Sequence, residues 1–115
     1  MQQNHLNTKI LKENPQISNL LTQCELIHVL KLSKKKFQKC HTDLALAFEK
    51  ELKTIPKSDP EYSYSEWGYL LSMYKAGHEN YKHKLEKFIN STKDEQMKFQ
   101  LQSAYELAIE QKKSI

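Results

Sequence analysis

The chain has 115 residues and 13.6 kDa, with a formal net charge of +4 and a pI near 9.0, a size for one domain or a small head with a helical extension. A mean hydropathy of −0.77 and only two Gly and three Pro among many Lys, Glu, Gln and Leu point to an all-α protein. Two glycines leave no room for a glycine-rich phosphate loop, no spacing pairs a nucleophile with a base, and no apolar run approaches a membrane span, so neither an enzyme nor a membrane protein is expected.

Residues 1–13 read as a flexible arm with isolated Leu6, Ile10 and Leu11. Its start, MQQNHLNTKILKENP, has no apolar signal-peptide core, which places the chain in the cytoplasm. In that compartment Cys24 and Cys40 are simplest as reduced core residues. Asn14-Pro15 is a helix start, a cap followed by Pro at the first helical position. Ile17, Leu20, Leu21, Cys24 and Ile27 continue it at helical spacing. One helix over 15–31 is therefore one reading. The other is a short turn at 15–20 and a new helix from Thr22, because Thr22 and Glu25 have capping-box spacing with Leu21 and Leu26 as staple. The capping box favours the second.

Ser33 is a good cap for a helix opening on Lys34. Phe37, Cys40, His41, Leu44, Ala47 and Phe48, then Leu52, fall on one face of it, and Pro56 stops it near Thr54. Residues 56–62 read as a loop. Ser63 and Glu66 form a second capping box, with Tyr62 and Trp67 as staple. From Trp67 the apolar phase runs through Leu70, Leu71, Tyr74, Tyr81, Leu85 and Phe88. Gly77 could end a helix there or sit inside a longer one. The unbroken phase favours one long, bent helix. Thr92 and Glu95 form a third capping box, opening a last helix with Met97, Leu101, Ala104, Tyr105, Ala108 and Ile109 inward and a frayed QKKSI end. The second half, 63–115, thus reads as an antiparallel helical hairpin, 64–90 against 93–112, with Trp67 buried against the last helix.

Within 14–55, the stretch Leu21–Cys40 resembles the helix-turn-helix of small DNA-binding proteins, especially the excisionase-like and MerR-like ones. Leu26, Leu30, Leu32 and Phe37 occupy the pattern's apolar positions, and Ser33 its serine after the turn. Two positions depart from it. Lys31 stands where glycine usually adopts a left-handed conformation, and Ile27 where a small residue lets the helices approach. Both imply a wider or differently shaped turn between helices that should cross near the perpendicular. The resemblance implies a helix-turn-helix-like head whose second helix contacts duplex DNA, acting as a dimer on symmetric half-sites. Lys31, Lys34, Lys35, Gln38 and Lys39 would face the DNA, in a cluster that also holds Lys36. The lysines would meet phosphate, and Gln38 could pair with adenine. All 18 basic residues are lysine, which counts against a specific reader of guanine.

The second functional expectation is a protein–protein interaction module that inhibits or scaffolds its partner. Trp67, Tyr74 and Tyr81 share a face and read as core, whereas Tyr64 and Tyr69 fall off it and read as an interface. Apolar surface left over by the two-helix hairpin should serve a homodimer or another protein. Cys24, His28, Cys40 and His41 form a conceivable metal set, but neither CxxC nor HxxxH is present. Glu25-x-x-His28 occurs only once, against the two copies a di-iron bundle needs. No metal and no cofactor is expected.

Overall fold

The computed structural model describes residues 14–114. Within them lie α1 (Pro15–Val29), α2 (Lys34–Leu52), α3 (Pro60–Lys75), α4 (Tyr81–Ser91) and α5 (Glu95–Ser114), with no strand among the described residues. The all-α class is as expected. The arm expected at 1–13 lies outside the described residues.

The Asn14 side chain accepts the Ile17 amide at 3.2 Å, and Pro15 supplies a pre-set first turn. From there α1 runs straight through Thr22, whose hydroxyl donates to the Ser18 carbonyl at 3.2 Å. The break expected at Thr22 is therefore absent. A threonine inside a helix satisfies its hydroxyl on the preceding turn, and the upstream cap sets the phase.

Ser33 opens α2 as expected, accepting the Lys36 amide at 3.1 Å. Its expected inward residues from Phe37 to Phe48 are all buried, Ala45 joins them, and Leu52 is half-buried. Contacts between α1 and α2 step in opposite directions along the two helices. Asn14 Nδ2 donates to Glu51 Oε1 at 3.0 Å at one end, and the His28 and Phe37 rings stand 6.2 Å apart at the other. The pair is an antiparallel hairpin along the whole of α1, not a near-perpendicular crossing. Midway along it Cys24 and Cys40 face each other with Cα atoms 5.6 Å apart and form a disulfide. The expectation of two reduced thiols is thus corrected. The hairpin register brings the residues within bonding distance.

On its other side α2 packs against α3, again antiparallel. A Cβ on Gly68 would stand 2.5 Å from the Phe48 ring, and Gln38 lies against Gly77. Helix α3 begins earlier than the capping box at Ser63 suggests. Asp59 accepts the Glu61 amide at 2.9 Å, with Pro60 at the first position, so Ser63 lies inside the helix. It ends at Lys75, because Gly77 takes φ +112° and the Gly77 and His78 amides return to the Tyr74 and Met73 carbonyls. The long helix expected across Gly77 is instead two. Thr92 belongs to the end of α4, its hydroxyl donating to the Phe88 carbonyl at 2.9 Å, and Asp94 caps α5 by accepting the Met97 amide at 3.0 Å. The last turn of α5 is helical rather than frayed, with Gln111 buried.

Two apolar clusters result. Ile17, Cys24, Cys40, Leu44, Ala47 and Phe48 form the α1–α2 core. Trp67, Leu70, Tyr74, Leu85, Ile89, Leu101, Tyr105 and Ala108 form the core of α3, α4 and α5. Trp67 is buried as expected, in one cluster with three residues of α5, though its ring partner is Phe88 of α4 at 5.4 Å. No described helix is long and apolar enough to cross a membrane.

Candidate functional site at the lysine-rich corner

The turn from α1 to α2 closes as a tight helix stop. The Leu32 amide reaches the Ile27 carbonyl and the Lys31 amide the His28 carbonyl, each at 3.0 Å. Lys31 takes the left-handed conformation, φ +53°, at a cost of about 1–2 kcal/mol for a residue with a Cβ. The glycine-like geometry thus forms without glycine, and the turn is not widened at this position.

This geometry points the corner's aliphatic side chains outward. Leu26, Val29, Leu30 and Leu32 are 52%, 59%, 63% and 40% exposed. Of the four apolar positions of the helix-turn-helix pattern, only Phe37 is buried. The full-length hairpin needs only the opposite stripe of α1, led by Ile17 and Cys24, so these leucines have nothing to pack on.

Around them stand Lys31, Lys34, Lys35 and Lys36, all exposed. The last three fill the first turn of α2, which holds no acidic residue. They sit at the positive end of the helix macrodipole, where carboxylates are favoured, so the corner attracts anions. Lys39 is partly neutralised, its ammonium 3.1 Å from Asp43 one turn on. Gln38 is half-buried and turned onto Gly77 of the α3 end. Of the residues expected to face DNA, the structure therefore groups Lys31, Lys34 and Lys35, leaves Lys39 paired, and takes Gln38 away.

Tyr64 and Tyr69 are half-buried and pack against both apolar clusters, at the seam between them. The Tyr69 hydroxyl stands 3.4 Å from that of Tyr81, and this hydrogen bond, with burial, pushes its pKa up to about 12. That role in the interior leaves less of either ring for a partner. The sequence places Leu26, Leu30 and Leu32 at the pattern's apolar positions, but helical spacing alone does not say which stripe is covered. No family model, curated protein or solved structure matches the chain. Among the described residues no His, Cys, Asp and Glu cluster is placed to hold a metal ion.

Proposed function

We infer that the protein is a non-catalytic interaction module that docks through its α1–α2 corner onto an acidic-rimmed apolar surface of a partner protein. The observation that carries this reading is the group Leu26, Val29, Leu30 and Leu32, each at least 40% exposed and set within one turn region. Single exposed leucines are ordinary, but a contiguous patch with a polar rim has the anatomy of an interface. The lysine rim steers an acidic partner and sets orientation. A hairpin bonded at Cys24–Cys40 presents the patch with little left to order on binding.

The duplex-DNA reading, with this corner as a helix-turn-helix, keeps one observation in its favour. Lys34 and Lys35 are exposed at the start of α2 and have no ion-pair partner among the described residues. The aliphatic patch beside them favours protein over phosphate. As to compartment, the disulfide favours an oxidising one over the cytoplasm expected from the N-terminal composition.

The two readings separate by chemical-shift mapping of the labelled protein against an acidic amphipathic Glu/Leu helical peptide and a nonspecific duplex. The peptide should shift amides of 26–36 and lose at least tenfold in affinity in Leu26→Asp/Leu30→Asp. Duplex binding that survives this change and weakens steeply with salt would replace the docking reading by the DNA one.

A further inference from the structure

A cavity of about 140 Å³ lies where the first turn of α2 meets the ends of α3 and α5. Lys34 and Phe37 contribute from α2, Lys75 from the end of α3, and Lys112 from α5. Gln38, Gly77 and Glu79 complete the lining. Three lysines thus line one small space with a single acidic residue.

That carboxylate is taken. Glu79 pairs with Lys112, whose ammonium also donates to the Tyr74 carbonyl at 3.0 Å and stands over the Tyr74 ring. Lys34 and Lys75 have no carboxylate at ion-pair distance among the described residues. Burial holds the Lys75 ammonium down at about 8, with the charge of Glu25 as the smaller, opposing influence. The neighbouring groups do not offset it. His41 of α2 is buried and neutral, and His28 of α1 is already hydrogen-bonded to Ser114 at 3.0 Å. The cavity also faces the positive end of α2, whose first three residues are all lysine. A desolvated cation without a counter-ion is costly. A dianion would balance the two unpaired charges that remain.

We propose that this cavity is a site for a phosphate dianion, free or as a phosphate monoester, held by Lys75, Lys34 and Lys112 with the Gln38 side-chain amide as a further donor. Lysines bind phosphate as point charges and do not require the fork geometry of arginine, which this chain lacks. A dianion fits the charge balance better than a single carboxylate. The proposal shares Lys34 with the rim of the docking reading but does not rest on it, since the leucine patch does not line the cavity.

The test is titration of inorganic phosphate into the full chain at pH 8, followed by calorimetry in buffers of different ionisation enthalpy and by side-chain NMR. One-to-one saturable binding should shift the Gln38 side-chain amide and the Gly77 amide. It should also be accompanied by proton uptake, as Lys75 regains its charge. Lys75→Met should weaken binding at least tenfold and abolish the proton uptake. Lys34→Gln, at an exposed position that folding does not need, should weaken it several-fold. Lys87→Gln, far along α4, should change nothing. Competition by a phosphoserine peptide assigns the group to a protein-borne monoester, and its failure to compete assigns the site to the free ion. Shifts spread evenly over all lysines, or saturable binding unaltered by both Lys75→Met and Lys34→Gln, would overturn the proposal.

Discussion

His41 lies buried with its ring 4.5 Å from that of Phe37, and its Nδ1 has no hydrogen-bond partner. Burial first, then the charges of Lys75 and His28, push its pKa down to about 3 from 6.5. The folded chain keeps this imidazole neutral while the unfolded chain protonates it near pH 6.5. Its contribution is therefore fully present above pH 6.5 and is lost as pH falls toward 3. Between pH 7.5 and pH 5 the loss from this group should be about 2 kcal/mol. Urea unfolding at the two pH values should show it, and His41→Leu should flatten the difference; an equal slope in the variant would refute the assignment. Gly68 gives a second expectation at this scale. Alanine in mid-helix normally gains about 1 kcal/mol over glycine. Here the added carbon would meet three Phe48 ring atoms at 2.5–2.8 Å. Because Phe48 is itself buried, overpacking at about 1–3 kcal/mol should win, and Gly68→Ala should lower Tm. A raised Tm would mean that the α2–α3 approach is looser than the structure has it. Single residues were legible where their partner is local, as with Asn14 and Ser33. His41 was read only as one member of an inward face, because nothing in its neighbourhood along the chain encodes Lys75.

Among elements, the starts were the least legible in one specific way. Ser/Thr-x-x-Glu spacing also occurs inside helices, and at Thr22, Ser63 and Thr92 a stronger competitor stood within reach. Asn14-Pro15, Asp59-Pro60 and Asp94 took the caps, each offering a side-chain oxygen of the best capping classes. Gly77 went the other way: the apolar phase carried across it, yet φ +112° is a conformation that a helix interior does not hold. The inward face of α2 read correctly because its 3.6-residue stripe is continuous from Phe37 to Phe48. The bond joining α1 to α2 was out of reach of any spacing rule, since Cys24 and Cys40 meet only through the hairpin register. Closing a loop of 16 residues should stabilise the fold by about 3 kcal/mol. Reduction, or the double change Cys24→Ala/Cys40→Ala, should then lower Tm by roughly 10–20 °C. A melting curve indifferent to reductant, with both thiols alkylated beforehand in the native protein, would remove the disulfide.

At the scale of the molecule, the sequence led to the helical class and to most of the buried residues but not to which faces meet. Leu26, Leu30 and Leu32 could have packed inside a crossed pair, and only the full-length antiparallel hairpin turns them out. Phe99 and Leu107, 73% and 51% exposed on α5, likewise fall outside the stripe that α3 and α4 cover. The candidate site was legible as charge and invisible as shape: the lysine run is printed in the chain, whereas the leucine patch exists only once α1 and α2 pair, and the cavity only once α3 and α5 arrive beside α2. That arrival has a temporal side. The Ser114 hydroxyl meets His28 across 86 positions of chain, and Lys112 meets Tyr74 across 38. Synthesis proceeds from the N-terminal side, so α1, α2 and α3 can pair while later residues are still being added. The final turn of α5 then seals the junction last. A ribosome-bound chain stalled short of residue 112 should already carry the leucine corner and yet lack the three-lysine cavity.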